Sequence, residues 1–193
     1  FFNICFYFAS IPLFTGALMV GYTCVYTSLP VFTLVLDKDV SFKTAIFYPE
    51  LYHSLQSGLA LNNKTLLLWI IRSFYQGAVI MLCALILFED ELHNIVSITF
   101  TALILTELYN VYLEIHKIHL LMVISELLSI LLYVISVIIL SDTYFDKQFV
   151  FSLQFYVKSL VISVAANVPV ACIKFIHKQC NPSMQAKLKD DQH

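Results

Sequence analysis

One predicted helix face in the first complete apolar stretch carries three hydroxyl groups and a proline that frees a backbone carbonyl. Segment 21–30 reads GYTCVYTSLP. Because Pro30 has no amide hydrogen, the carbonyl of Tyr26 loses its helical partner, and inside a membrane it must bond a protein group or water. The i, i+3, i+4, i+7 spacing predicts that Thr23, Tyr26, Thr27 and Pro30 share one helix face. The pattern is typical either of a polar substrate path or of a proline kink whose hydroxyls bond neighbouring helices.

Three charged residues lie inside other apolar stretches, where ionisable side chains usually pair or face water. Arg72, Glu107 and Glu126 are each about six or seven residues from one end of their stretch, so all three lie ~10 Å below the same membrane boundary. We therefore predict a structural ionic layer in which Arg72 bonds Glu107, Glu126 or both. The alternative is that each side chain reaches the membrane surface separately along its own aliphatic stem.

The elements that carry these residues are apolar stretches of about 20 residues. Hydrophobic residues make up 60% of the 193-residue chain, and the mean hydropathy is +0.82. A helix of ~20 residues is ~30 Å long, which matches the hydrocarbon core of a bilayer. The sequence predicts an all-α, polytopic transmembrane helix bundle. It has a truncated first helix at 1–12 and five full spans at 17–36, 66–88, 95–113, 119–140 and 149–174.

The predicted organisation has four parts, which are a truncated helix with the first full span (1–36), a loop (37–65), a four-span membrane domain (66–174) and a tail (175–193). Successive loops fall on opposite sides of the membrane. Loops 37–65 and 114–118 and the tail carry most of the lysines, whereas the opposite loops contain only Lys147. An excess of Lys and Arg marks the cytosolic face. The long loop and the C-terminus are therefore predicted to be cytosolic.

Motifs of soluble enzymes are missing from this sequence. It contains no G-x-x-x-x-G-K-[ST] phosphate loop and no H-E-x-x-H, and we predict no catalytic residue, no metal site and no nucleic-acid partner in this chain. The first residues, Phe1 and Phe2, already belong to apolar sequence, with no basic region or cleavage site before it. This start indicates a fragment that begins inside a helix rather than a signal peptide.

Several motifs, taken in order along the chain, resemble type IV P-type ATPases, the phospholipid flippases. Residues 26–40, YTSLPVFTLVLDKDV, are similar to the sixth helix of that family and its exit, and residues 48–52, YPELY, are similar to its Y-P-x-L-Y motif. Trp69, residues 75–77 (YQG) and residues 97–108 (SITFTALILTEL) continue the same order. Together they resemble the class II branch, which is associated with Golgi, trans-Golgi network and endosomes. The resemblance covers nearly the whole chain.

The resemblance implies an ATP-driven transporter. Such enzymes use ATP and Mg²⁺ to phosphorylate an aspartate in a cytosolic D-K-T-G-T motif, and they move a lipid headgroup from the lumenal or outer leaflet to the cytosolic leaflet. The class II branch is expected to work without an accessory subunit. The resemblance also implies that the sixth helix lines the headgroup groove, which favours Thr23, Tyr26, Thr27 and Pro30 as path residues. Many family members have asparagine at the position of Thr23. The family pattern does not include an arginine at the position of Arg72.

The 193 residues contain no D-K-T-G-T motif. Without the aspartyl acceptor, this piece alone is expected to have no ATPase activity and to bind no cofactor. Its expected partners are the bilayer, the phospholipid substrate and the missing N-terminal part of the same ATPase. Two alternatives from other classes stay open, namely a catalytically inactive membrane scaffold or regulator derived from such an ATPase, and an unrelated channel or carrier.

Overall fold

A computed structural model of the chain describes residues 1–5, 7–8, 12–37, 62–87, 92–115, 119–140 and 150–180. Every regular element in these ranges is helical. In chain order they are α1 (Phe2–Cys5), α2 (Gly16–Gly21), a π-helical turn (Tyr22–Tyr26), α3 (Ser28–Thr33), a 3-10 turn (Leu34–Leu36), α4 (Asn63–Leu87), α5 (Leu92–Glu114), α6 (Leu120–Leu140) and α7 (Leu153–Cys180).

Four of these helices are long and apolar enough to cross a membrane, within the part of the chain that the structure describes. Their spans are Asn63–Leu87, Asn94–Glu114, Leu120–Leu140 and Leu153–Ile176. The prediction of an all-helical membrane domain is confirmed. The predicted first full span, 17–36, is helical but is not one continuous α-helix. The structure therefore supports four of the five predicted spans as unbroken membrane helices.

The stretch from α2 to the 3-10 turn, residues 16–36, is called the interrupted helix below. Its π-helical turn is marked by an i→i+5 bond from the Thr27 amide to the Tyr22 carbonyl, 3.2 Å long. Pro30 follows within α3 and contributes no amide to the hydrogen-bond ladder. The irregular turn and the proline therefore lie within two turns of each other, where a membrane helix is most easily bent.

Helix α5 is the centre of the bundle, and it packs against α4, α7 and α3. Within its span 61% of the residues are buried, against 17–33% in the other three spans. Small and polar side chains let neighbouring backbones approach closely in a membrane, where apolar surface alone does not drive association. Helix α5 has such buried side chains along most of its length, namely Asn94, Ser97, Thr99, Thr101, Ala102, Thr106 and Asn110.

Helix α6 packs on the other side of the interrupted helix, against α3 and the π-helical turn. Its buried residues repeat every three or four positions and include Ser125, Ser129 and Tyr133. Leucine and isoleucine dominate its exposed face, which is the composition that lipid contact requires. The interrupted helix thus lies between α6 and the core helix α5. Most of the predicted loop 37–65 and of the predicted tail lies outside the described residues.

Candidate functional site

The π-helical turn is held by two hydrogen bonds between the same two residues. The Tyr22 carbonyl accepts the Thr27 amide at 3.2 Å and the Thr27 hydroxyl at 2.8 Å. Other hydroxyls also bond the backbone of the interrupted helix, since Thr23 donates to the Met19 carbonyl at 3.1 Å and Ser28 donates to the Cys24 carbonyl at 2.7 Å. These hydroxyls donate hydrogen bonds to backbone carbonyls of the interrupted helix, which must be satisfied by protein groups in a lipid environment.

The four predicted path residues do not share one face. Tyr26 and Pro30 are buried, Thr27 is half-buried and Thr23 is exposed. The π-helical turn contains one residue more than an α-helical turn, so the spacing rule used in the sequence does not hold across it. The structure therefore brings Tyr26 and Pro30 together at the packed side of the interrupted helix, with Thr27 at its edge, and places Thr23 on the open side.

The Tyr26 ring sits in an aromatic cluster that fixes the interrupted helix to α5 and α6. It packs edge-on against Phe100 on α5, with ring centroids 6.3 Å apart, and against Tyr133 on α6, at 5.5 Å. The ring also lies over Gly21, where an added Cβ would be 3.1 Å from a ring carbon of Tyr26. A side chain at position 21 would press on the ring, which would have to shift by a few tenths of an ångström to make room for it.

Two hydroxyl pairs join helices around this cluster. The Tyr133 hydroxyl lies 2.6 Å from the Thr101 hydroxyl, and Thr101 also donates to the Ser97 carbonyl at 2.7 Å. Nearer the end of the interrupted helix, Thr33 and Ser125 place their hydroxyl oxygens 3.1 Å apart. Hydrogen bonds of this kind are a main source of helix association in membranes.

Arg72 has a carboxylate partner, but it is Glu114. One guanidinium nitrogen of Arg72 lies 3.1 Å from Glu114, and the other donates to the Asn110 side chain at 2.5 Å. Lys174 on α7 binds the second oxygen of Glu114 at 2.9 Å. The prediction that Arg72 bonds Glu107 or Glu126 is therefore wrong for this structure, although the expectation that a carboxylate pairs with it is correct.

The register of the antiparallel helices α4 and α5 explains why Arg72 binds Glu114. Gln76 on α4 lies opposite Asn110 on α5, where each side-chain amide donates to the other at 3.1 Å. Moving four residues back on α4 and four forward on α5 pairs Arg72 with Glu114. Glu107 is ~10 Å from Glu114 along the axis. The sequence prediction estimated depth from the ends of the apolar stretches and placed Glu114 in a loop. It missed the Arg72–Glu114 pair because α5 continues as a helix through Glu114.

Glu107 and Glu126 lie beside other elements. Tyr22 of the π-helical turn is near enough to Glu107 for the two side chains to interact electrostatically. Glu126 is half-buried on α6, the helix that packs against α3 and the π-helical turn, and it follows Ser125, which contacts Thr33. The three predicted members of the ionic layer therefore do not meet, and the two carboxylates are both next to the interrupted helix.

A buried amide triad extends the Arg72 cluster to α7. Gln76 donates to the Asn110 side chain at 3.1 Å and to the Asn167 side chain at 3.0 Å, and Asn167 donates to the Ser163 hydroxyl at 3.3 Å. We call these residues, with Arg72, Glu114 and Lys174, the polar network. The sequence reasoning missed the amides, although the four-residue spacings 72–76 and 110–114 were visible signals.

The polar network holds three helices together. Its members come from α4, α5 and α7, and they mainly satisfy one another. Within the described ranges, no three His, Cys, Asp or Glu side chains come close enough to share a metal ion. What the arrangement provides is a fixed three-helix body beside an irregular, hydroxyl-rich helix.

Comparison of the sequence with known proteins assigns the chain to a family. The family described as "Phospholipid-translocating P-type ATPase C-terminal" matches residues 1–183. The chain belongs to that family. The resemblance to type IV P-type ATPases drawn from its motifs is thereby confirmed. Because it belongs to this family and its described ranges include four helices long and apolar enough to cross a membrane, it is an integral membrane protein.

Individual relatives agree along most of the chain. "Probable phospholipid-transporting ATPase IIB" of Bos taurus is 46% identical over 187 residues, which cover 97% of this chain and 16% of the relative. "Probable phospholipid-transporting ATPase tat-5" of Caenorhabditis elegans is 45% identical over 187 residues, covering 97% and 17%. "Phospholipid-transporting ATPase NEO1" of Saccharomyces cerevisiae is 38% identical over 192 residues, covering 98% and 17%. The chain spans about a sixth of the length of these relatives.

Proposed function

We propose that this chain is the C-terminal membrane part of an ATP-driven phospholipid translocase, a flippase that moves lipid from the lumenal or outer leaflet to the cytosolic leaflet. The family match over residues 1–183 carries the proposal. The relatives with 38–46% identity that are named above are themselves called phospholipid-transporting ATPases. ATP and Mg²⁺ act in the remaining, N-terminal part of the enzyme, to which this chain contributes no cofactor site.

The interrupted helix is proposed as the wall of the lipid path and as a fifth membrane crossing. Its backbone is irregular and its side chains carry several hydroxyl groups, which could bind a polar headgroup. Irregular backbone is tolerated at membrane depth only where it contacts protein or lines a water-filled cavity. Thr23 lies on its open side, with Thr27 at the edge, while Tyr26 and Pro30 shape it from the packed side. The polar network makes α4, α5 and α7 the fixed body against which this helix is supported.

The remaining assignments follow from the sequence and the family. We propose that the long loop and the tail face the cytosol, because the lysines are concentrated there. We propose that residues 1–36 form the path helix and that residues 37–65 connect it to the next span. Residues 66–174 support the path helix, and residues 175–193 form the tail. We place the enzyme in the Golgi, trans-Golgi network and endosomes, working without an accessory subunit.

The test is ATP-dependent uptake of fluorescent phospholipids by the full-length protein in proteoliposomes. Tyr26→Ala and Thr27→Val are expected to lower the uptake rate several-fold and to change the order of headgroup preference, because one reshapes the path and the other removes a bond of the π-helical turn. Tyr112→Ala and Thr99→Val are the matched controls. Tyr112 is 51% exposed on α5, and Thr99 bonds only the backbone of its own helix.

Three results would contradict the proposal. Headgroup preference and rate that are the same in Tyr26→Ala and Thr27→Val as in the unmodified protein would remove the interrupted helix from the path. Uptake that does not depend on ATP, together with no phosphorylated intermediate, would favour the inactive scaffold. Ion conductance in the same proteoliposomes would favour a channel.

A further inference from the structure

Helix α6 packs with the interrupted helix rather than with the three helices that share the polar network. Its main packing partners in the described ranges are α3 and the π-helical turn. Helix α7, in contrast, packs extensively against both α5 and α4, and these two also pack against each other. The four long helices therefore divide into two packing groups, although they follow one another in the sequence. We call α6 with the interrupted helix the α6 group, and α4, α5 and α7 the network group.

Each group is held together by directional bonds of its own. In the network group, the Glu114 carboxylate binds Arg72 at 3.1 Å and Lys174 at 2.9 Å, so that one side chain joins all three helices. In the α6 group, the hydroxyl oxygens of Thr33 and Ser125 lie 3.1 Å apart and join α3 to α6. Such bonds weaken steeply when their distance or angle changes. Elements within one group therefore resist sliding past each other.

The aromatic cluster joins the two groups at two adjacent residues of α5, Phe100 and Thr101. The Phe100 ring meets the rings of Tyr26 and Tyr133, with centroids 6.3 Å away in both cases. One of these contacts is edge-on and the other is tilted, and aromatic pairs attract each other over a range of such arrangements. Contacts of this kind allow a change of angle that the polar network resists.

The hydrogen bond within this junction can open without leaving α5 unsatisfied. The Tyr133 hydroxyl lies 2.6 Å from the Thr101 hydroxyl. Thr101 also donates to the Ser97 carbonyl of its own helix at 2.7 Å. If the two groups rotate apart here, Thr101 keeps that bond and only the Tyr133 hydroxyl needs another partner. The junction is therefore the place where relative motion of the groups costs least.

We propose that α6 and the interrupted helix move as one unit against α4, α5 and α7, and that Phe100 and Thr101 are the pivot. This is a rotation of packed rigid groups about an interface. Helix α6 supports the interrupted helix by moving with it, while the network group is the fixed body. The role of the motion, which is to open and close the lipid path, rests on the proposed function. The division into two groups rests on the packing alone.

Distances between pairs of spin labels in the full-length protein test the division. The labels are attached to cysteines that replace four exposed residues, after the native cysteines are removed. Phe32 and Leu127 lie in the α6 group, and Leu68 and Ile173 lie in the network group. Pulsed electron paramagnetic resonance is recorded in proteoliposomes with and without ATP and Mg²⁺. We expect the two pairs within a group to keep their distances, and the pairs Leu127–Leu68 and Phe32–Ile173 to shift by several ångströms.

The same labels distinguish failure of this proposal from failure of the proposed function. In protein that transports lipid with ATP, the proposal is overturned if all four distances stay the same, or if Leu127 keeps its distance to Leu68 while its distance to Phe32 changes. If lipid uptake does not depend on ATP, the proposed function fails and the division is tested in resting protein. There we expect broader distance distributions between the groups than within them, and equal widths would overturn the proposal.

A reversible cross-link inside the α6 group gives a second test. In full-length protein without native cysteines, Thr33→Cys is combined with Ser125→Cys. The two hydroxyl oxygens are 3.1 Å apart, so sulfur atoms in their place can form a disulfide after a small adjustment. We expect the same rate of lipid uptake before and after reduction, because the cross-link lies within one moving unit. The single variants are the matched controls, since neither can form this disulfide. Uptake that is lost on oxidation and recovered on reduction in the double variant alone would overturn the proposal.

Discussion

Arg72 and Glu114 form the ionic contact between α4 and α5, with 3.1 Å between the guanidinium nitrogen and the carboxylate oxygen. The other oxygen of the same carboxylate binds Lys174 of α7. A single acidic side chain therefore joins three helices. Arg72 also lies over the Trp69 ring, 5.1 Å from its centroid, a distance at which cation and ring attract each other.

Removing the Glu114 charge is expected to destabilise the protein more than removing the whole pair. In Glu114→Gln, Arg72 and Lys174 face each other without an acceptor charge, whereas Arg72→Leu with Glu114→Leu leaves a single exposed lysine. We expect Glu114→Gln to cost about 2 kcal/mol, less than a fully buried pair because the Glu114 side chain is 31% exposed. The measurement is Tm of the full-length protein in detergent. A double variant less stable than Glu114→Gln would contradict this ranking.

Replacing Asn110 by leucine is expected to disrupt two contacts at once. Both Arg72 and Gln76 donate to its side-chain oxygen, at 2.5 Å and 3.1 Å. Buried donors left without an acceptor make Asn110→Leu destabilising by about 2 kcal/mol. Ser136→Ala is the control, because Ser136 bonds only the Leu132 carbonyl of its own helix. Equal Tm for the two variants would show that the amide triad contributes no stability.

Gly21→Ala is expected to displace the Tyr26 ring. The added methyl group would be 3.1 Å from a ring carbon and 3.3 Å from the hydroxyl oxygen, and the ring is confined by Phe100 and Tyr133. Overpacking of this kind costs about 1–3 kcal/mol. Gly16→Ala, where nothing lies within 4 Å of the added methyl, is expected to leave Tm unchanged. Equal Tm values for Gly21→Ala and Gly16→Ala would contradict this prediction.

The Thr101–Tyr133 pair predicts which of two substitutions destabilises the protein more. In Tyr133→Phe, Thr101 keeps its bond to the Ser97 carbonyl, so the loss is about 0.6 kcal/mol. In Thr101→Val, the Tyr133 hydroxyl, whose tyrosine is 8% exposed, is left without its partner and the cost rises to about 1–3 kcal/mol. Comparing Tm of the two variants checks the order. The reverse order would mean that the pair is not the main contact of Tyr133.

The sequence by itself determined the class of protein and one irregularity of its first span, the hydrogen bond that Pro30 removes. Length and hydropathy of an apolar stretch are local properties, so membrane helices could be read from composition alone. Pro30 lacks an amide in any fold, so the missing hydrogen bond to the Tyr26 carbonyl follows from the sequence. The order of short motifs was also sufficient for the family, because it does not depend on how the helices pack.

The tertiary structure alone decided which residues meet. Arg72 pairs with Glu114 rather than Glu107 because the register of α4 against α5 is set by side chains that face each other, not by distance from the ends of apolar stretches. Gln76 and Asn167 are 91 positions apart, and no local pattern indicates their contact. The π-helical turn separates Thr23 from Tyr26 and Pro30 because one extra residue in a turn shifts every later side chain around the axis.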